Sequence, residues 1–118
     1  MRIRSRFSRL AGKKSFDAVF SSSKLLTPDV VFYFSPNHLD HGRLGLVVAK
    51  KTVPKAVTRN RLKRRLRSLF RCFSDAVRGH DVVVVARRSG VLSDYRVLER
   101  RFAKLADALE RRAGGGRG

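Results

Sequence analysis

The sequence has few of the residues on which metal and redox chemistry depends. Its single cysteine, Cys72, excludes an intramolecular disulfide and any zinc site of several cysteines, and it fits a reducing, cytoplasmic compartment. Asp and Glu number only 9, and no Asp-x-Asp pair of the kind that can hold catalytic metal ions occurs. His38, Asp40 and His41 share one polar loop, for which an ordinary surface loop is a simpler interpretation than a metal site. We therefore expect no metal site and no catalytic residue in the protein.

Long apolar runs are also absent. The longest, Val30–Phe34 and Val82–Ala86, are far shorter than the roughly 20 residues of a transmembrane helix, so we expect no membrane association. The N-terminus lacks the apolar core of a secretory signal. Its arginine- and serine-rich composition fits an RNA-binding arm, with a transit peptide as the alternative.

The scarcity of acids leaves a large excess of positive charge. The 118 residues include 28 Lys+Arg, giving a formal net charge of +19, while 42% of the residues are hydrophobic. This composition predicts one compact domain over residues 1–112, with a flexible basic arm at 1–12 and a disordered glycine-rich tail at 113–118. The charge predicts a polyanionic partner. Because arginine outnumbers lysine, nucleic acid is favoured over an anionic membrane or an acidic protein.

Hydrophobic periodicity predicts a mixed α+β fold, a two-layer α/β sandwich in the order α-β-β-α-β-α. The expected elements are a helix at 13–21, strands at 30–34 and 43–49, a helix at 55–73, a strand at 81–86 and a helix from a Ser93 N-cap to about 112. Thr27-Pro28-Asp29 predicts a turn. The first two strands are expected to form an antiparallel hairpin, and the all-apolar third strand to lie at the centre of the sheet.

The helix at 55–73 concentrates the positive charge. Its apolar stripe consists of Leu62, Leu66, Leu69, Phe70 and Phe73. Between residues 50 and 71 there are ten basic residues and no acidic one. Like charges four residues apart destabilise a helix by about 0.2–0.5 kcal/mol per pair. A phosphate-binding surface explains this uncompensated repulsion better than an ordinary solvated helix does.

The same segment resembles the signature of the bacterial ribonuclease P protein component. That signature has two lysines, then Ala-Val-x-Arg-Asn-Arg-x-Lys-Arg and a further arginine, matched here by Lys50, Lys51, Ala56, Val57, Arg59, Asn60, Arg61, Lys63, Arg64 and Arg67. The resemblance covers roughly residues 9–110 and includes Phe16, Phe20, the segment 43–46 and the segment 81–87. Pro54 departs from the pattern, at a position where a glycine-like turn residue is expected.

The resemblance implies a left-handed crossover around the basic helix and a protein that binds a large catalytic RNA. One protein and one RNA would form the minimal holoenzyme, which removes the 5′ leader of precursor tRNA. The RNA would hold Mg²⁺ and perform the hydrolysis. The residues implied to bind that RNA are Lys50, Lys51, Arg59, Asn60, Arg61, Lys63, Arg64, Arg65, Arg67 and Arg71.

The resemblance also implies a central cleft that holds the single-stranded leader. Aromatic platforms in a cationic groove suit a single strand. Phe16 and Phe20 lie one helical turn apart, and Tyr33 alternates with strand residues expected to face the core. Without the resemblance, core packing would be the simpler interpretation of Phe16 and Phe20.

Two other classes of protein share this charge and size. A structural, ribosomal-type RNA-binding protein would need no leader cleft. A DNA-binding module would place the basic helix in a major groove and read base edges. The helix offers only Asn60 beside many phosphate-type contacts, which argues against base readout.

Overall fold

A computed structural model of the protein describes residues 7–88 and 94–115. Over these residues the chain forms five strands and three helices. They are β1 (Phe7–Arg9), α1 (Lys13–Phe20), β2 (Ser23–Leu26), β3 (Val30–Pro36), β4 (Gly42–Val47), α2 (Ala56–Cys72), β5 (His80–Ala86) and α3 (Tyr95–Gly115).

The valine-rich strand β5 lies at the centre of the sheet, as predicted. The strand order is β1-β4-β5-β3-β2, with β5 parallel to β4 and antiparallel to β3. Val82, Val83 and Val84 are completely buried. A strand that is apolar on both faces stabilises the fold most at this position, because neighbouring strands and covering helices remove both of its faces from water.

The predicted hairpin between the strands at 30–34 and 43–49 is wrong. β3 and β4 lie on opposite sides of β5 and do not pair with each other. Their connecting loop crosses the beginning of β5, where the Asn37 amide donates to the Gly79 carbonyl at 2.8 Å and the Gly79 amide donates to the His41 carbonyl at 3.3 Å. A β3–β4 hairpin would leave β5 with one unpaired edge. When β5 lies between β3 and β4, the backbone N–H and C=O groups on both edges of β5 are hydrogen-bonded.

Two short edge strands were not expected. β2 pairs with β3 across the predicted Thr27–Asp29 turn, which the Thr27 hydroxyl closes by donating to the Val30 carbonyl at 2.6 Å. β1 pairs in parallel with β4, so the prediction that residues 1–12 form a flexible arm is wrong at 7–9. The buried Leu10 anchors this strand, and its amide donates to the Leu44 carbonyl at 2.9 Å. Residues 1–6 of the predicted arm lie outside the described residues.

Helices pack on both faces of the sheet, and the mixed α+β fold is confirmed. α2 and α3 cover one face with the larger hydrophobic cluster, which contains Phe32, Phe70 and Phe102. α1 covers part of the other face, where Leu10, Val19 and Val83 form a smaller cluster. The β4–α2–β5 unit joins two adjacent parallel strands, as a crossover connection requires.

The last helix differs from its prediction at both ends. The Asp94 carboxylate accepts a hydrogen bond from the Val97 amide at 3.0 Å, a capping contact, whereas the predicted cap Ser93 lies outside the described residues. The helical backbone continues to Gly115, so the tail predicted at 113–118 does not begin at 113. Residues 116–118 lie outside the described residues. The apolar stripe of α3, which repeats at helical spacing in the sequence, is buried and consists of Leu98, Phe102, Leu105 and Leu109.

Candidate nucleic-acid interface

The two faces of α2 separate apolar from basic residues. Leu62, Leu66, Leu69 and Phe70 are buried against the sheet and α3. The exposed polar and basic residues of the helix are Asn60, Arg61, Arg64, Arg67 and Arg71, with Lys63 and Arg65 half-buried beside them. Val57, in the first turn, is an exposed apolar residue among them. The structure thus places the residues predicted on this helix on one continuous surface.

Several of these cations have no carboxylate partner among the described residues. Within the part of the chain that the structure describes, no ion pair involves Arg61, Lys63, Arg64 or Arg67. The first turn of α2 contains no acid, and its N-cap residue Lys55 makes no capping bond through its side chain. The positive end of the helix dipole therefore adds to the field of the basic residues. Packing of the apolar stripe against the sheet and α3 holds this helix in place.

Arg59 differs from the other arginines of α2. Its guanidinium Nη1 donates to the Val53 carbonyl at 3.0 Å and to the Pro54 carbonyl at 2.8 Å. Val53 is completely buried and ends a tight turn in which its amide donates to the Ala49 carbonyl at 2.9 Å. Arg59 therefore ties the β4–α2 turn to the first turn of the helix.

This turn presents the two predicted lysines. Lys50 and Lys51 are exposed between Ala49 and the buried Val53. Since Arg59 fixes the turn, it also fixes where these lysines lie relative to α2. Pro54, the departure from the family pattern, contributes one of the two carbonyls that Arg59 binds.

The three predicted cleft residues form a row of aromatic rings on the α1 face of the sheet. The ring centroids of Phe16 and Phe20 are 6.2 Å apart, and those of Phe20 and Tyr33 are 4.9 Å apart with nearly perpendicular planes. Phe20 is 38% exposed. Phe16 and Tyr33 are half-buried and pack on the smaller cluster. The rings are accordingly neither fully in the core nor fully in water.

A groove connects this aromatic row to the basic helix. It has a volume of about 380 Å³ and lies beside β4, just beyond the end of the short strand β1. Its lining includes Phe16 from α1, Gly45 from β4, Arg9 from the end of β1, and Lys63 and Arg67 from α2. Sequence reasoning missed Arg9 and Gly45. Arg9 fell in the predicted arm, and no local signal showed that Gly45 lies under an aromatic ring.

Arg43, part of the segment that resembles the family, is committed to an ion pair. Its Nε and Nη2 donate to the two carboxylate oxygens of Asp81 at 2.7 Å each, and Asn37 donates to the same carboxylate at 2.9 Å. The hydrogen bond to Asp81 raises the pKa of Arg43. This cluster holds the beginnings of β4 and β5 together.

The loop that contains His38, Asp40 and His41 forms a different contact. The Asp40 carboxylate is 2.8 Å from His41 Nδ1, and the Ser8 hydroxyl is 3.0 Å from His41 Nε2. These bonds tie β1 to the β3–β4 loop. Across the described ranges, no three His, Cys, Asp or Glu side chains lie close enough together to hold a metal ion. No helix in those ranges is long and apolar enough to cross a membrane.

Comparison with known proteins gives one consistent family. Residues 5–110 match the model of the family described as Ribonuclease P. The Ribonuclease P protein component of Azotobacter vinelandii is 45% identical over 109 residues, which cover 90% of this chain and 83% of the relative. That of Ectopseudomonas mendocina is 43% identical over 108 residues, which cover 90% of this chain and 81% of the relative.

Solved structures agree with these matches. The RNase P protein from Thermotoga maritima superimposes with a TM-score of 0.73 at 31% identity, covering 83% of this chain and 94% of that one. The Staphylococcus aureus RNase P protein shares the fold, with a TM-score of 0.75 at 24% identity over 85% of this chain and 93% of that one. The chain therefore belongs to the ribonuclease P protein family, whose members are components of the endoribonuclease that processes tRNA.

Proposed function

We propose that this chain binds the catalytic RNA of ribonuclease P through α2 and the Lys50–Lys51 turn, and holds the 5′ leader of precursor tRNA beside Phe16. The observation that carries the proposal is the groove lined by Phe16 on one side and by Lys63 and Arg67 on the other. One protein per RNA forms the minimal cytoplasmic holoenzyme. The product is tRNA with a mature 5′ end.

The exposed face of α2 suits the phosphates of a folded RNA. Arginine forks pair bidentately with phosphate oxygens, and unpaired arginines need not break an existing ion pair to do so. Arg61, Arg64 and Arg67 meet this condition among the described residues. Each contact releases counterions from the RNA, so binding weakens as salt rises.

The groove and the aromatic row suit a single strand. Stacking of a base on an aromatic side chain contributes about 1–3 kcal/mol and does not depend on base sequence. The partly exposed ring of Phe20, between Phe16 and Tyr33, extends the platform beyond the groove. Lys63 and Arg67 provide charge for the phosphates of the same strand. The leader, and not the mature tRNA body, is the part of the substrate held here.

The hydrolysis itself belongs to the RNA in this proposal. The site residues are cationic and aromatic, and these do not fit Mg²⁺, which prefers carboxylate and other oxygen ligands. We therefore assign Mg²⁺ binding to the catalytic RNA. The protein contributes affinity for the RNA and for the leader.

The direct test is cleavage of a 5′-extended precursor tRNA at low Mg²⁺. Four samples are compared: the protein alone, the host catalytic RNA alone, both together, and both with excess chelator. We expect cleavage at the mature 5′ end only when protein, RNA and Mg²⁺ are all present.

Two outcomes contradict the proposal in different ways. Cleavage by the protein alone would place an active site in this chain. Tight RNA binding without stimulation of cleavage would instead identify a structural RNA-binding protein of the ribosomal type.

A further inference from the structure

Gly45 lies directly under the ring of Phe16. It sits in β4, pairs in register with Val83 of β5, and lines the groove. A Cβ atom at position 45 would lie 2.6 Å from Cζ and 2.8 Å from Cε2 of Phe16. Such separations are far inside van der Waals contact, so the ring would have to move.

This glycine is not explained by its backbone conformation. Its φ is outside the left-handed region, unlike that of Gly12 at 93° and Gly79 at 78°. Glycine weakens a strand interior, where an alanine or valine would pack better, and it often marks the close approach of another group. Here the three atoms nearest to the position of the missing Cβ all belong to the Phe16 ring.

We propose that Gly45 is a positioning residue of the leader-binding site. The absence of a side chain lets the Phe16 ring lie against β4, and this sets the wall of the groove that faces Lys63 and Arg67. Because Phe16 contacts Phe20, and Phe20 contacts Tyr33, the position of the first ring affects the whole row. This inference rests on the proposed function, since it specifies how the leader site is shaped.

The test is a double-mutant cycle on the reconstituted holoenzyme. The readout is the affinity for precursor tRNA divided by the affinity for mature tRNA. We expect Gly45→Ala to lower this ratio about five- to tenfold, the lower part of the range for loss of one base–aromatic stack. Phe16→Ala should lower it at least as much. The double variant should match Phe16→Ala alone, because removal of the ring removes the close contact.

Gly42→Ala is the matched control in the same strand. Its Cβ would lie 2.9 Å from the Val77 carbonyl oxygen and 3.1 Å from Cζ of Phe70, in the core under α2 rather than under the aromatic row. We expect this variant to unfold at lower temperature with an unchanged affinity ratio. Thermal unfolding of all variants separates loss of fold from loss of the site.

A second readout does not depend on RNA. In the NMR spectrum, the Gly45 Hα resonances should be displaced by the Phe16 ring current, and Phe16→Ala should abolish the displacement. Undisplaced Hα resonances, an unchanged ratio in Gly45→Ala, or a further loss when Gly45→Ala is added to Phe16→Ala would overturn the positioning role. An unchanged ratio in Phe16→Ala would instead overturn the leader site itself.

Discussion

At the scale of single residues, the arginines of α2 differ in the contacts that they already make within the protein. Arg64 is exposed and has no ion pair with a described carboxylate, whereas Arg59 donates to two backbone carbonyls. We expect Arg64→Ala to weaken binding to the catalytic RNA about tenfold, the loss of one charge-assisted hydrogen bond. The slope of log affinity against log salt should become shallower by about one. Filter binding over a salt series measures both.

Arg78→Ala is the control for this prediction. Arg78 is also exposed, but it lies between α2 and β5 and pairs with Asp75 at 3.0 Å. Its removal should leave the affinity and the salt slope nearly unchanged. Equal losses in both variants would mean that only the net charge of the protein matters.

Arg59 is expected to act through the turn that it holds. Arg59→Lys keeps the charge, but the lysine side chain is one atom shorter, so its ammonium does not reach the position of Nη1, the atom that makes both bonds to Val53 and Pro54. We expect RNA affinity to fall in Arg59→Lys nearly as far as in Arg59→Ala, about fivefold for loss of one to two backbone contacts. Competition binding against the wild-type protein measures the RNA affinity of each variant relative to that of the wild type. Full recovery of affinity in Arg59→Lys would show that Arg59 contributes charge alone.

At the scale of elements, Asp81 joins β5 to β4 and to the β3–β4 loop. Its carboxylate accepts from Arg43 and Asn37, and its side chain is 9% exposed. We expect Asp81→Asn to lower the free energy of unfolding by about 1–3 kcal/mol, since Arg43 loses a charged partner. Urea denaturation followed by circular dichroism measures this loss. Asp75→Asn, at a side chain that is 94% exposed, should change stability by less than about 0.5 kcal/mol.

The pH dependence of this contact follows from the direction of the shift. The hydrogen bond to Asp81 raises the pKa of Arg43 above its ordinary value. A group with a raised pKa contributes stability that is fully present at lower pH and is lost only as pH rises through the folded-state pKa. The contribution of Arg43 should therefore be constant across neutral pH. A loss of it between pH 6 and pH 9 would contradict this assignment.

The elements with a clear period in hydrophobicity were predictable from the sequence, and the two edge strands of the sheet were not. In α2, α3 and β5, the pattern of apolar residues in the sequence indicates directly which residues are buried. β1 and β2 are only 3 and 4 residues long, too short to show a period in hydrophobicity. They form strands because they pair with β4 and β3. The wrong hairpin has a similar cause, because the loop before β4 does not reveal that β5 lies between the two strands.

The candidate site was predictable in residue type but not in detail. The resemblance to the family, rather than the spacing of the residues, implied that Phe16, Phe20 and Tyr33 share a cleft, and the structure brings these rings together. The contact of Arg59 with the turn, and that of Phe16 with Gly45, depend on how separate segments pack. A single sequence contains no local signal for either contact.

At the scale of the whole molecule, the net charge of +19 and the aromatic row should affect different steps. Neutralising 6–10 phosphates makes affinity for the catalytic RNA fall by roughly 10³–10⁵ between 50 and 200 mM salt. Stacking is not ionic, and Lys63 and Arg67 add about two phosphate contacts to the leader, so the preference for precursor over mature tRNA should change much less over the same range. Parallel titrations of both tRNAs against the assembled holoenzyme, over the same salt range, measure this preference. A preference that falls as steeply as the RNA affinity would mean that leader recognition is mainly electrostatic.

A series of leader lengths tests whether the protein holds the leader beside Phe16. Precursor tRNAs with no leader, and with leaders of one to ten nucleotides, are bound to the catalytic RNA with and without the protein. We expect the protein to add no affinity for the mature tRNA, and to add affinity once the leader is long enough to reach Phe16. This gain should be lost in Phe16→Ala. A gain that is equal for all leader lengths, including none, would mean that the protein does not hold the leader.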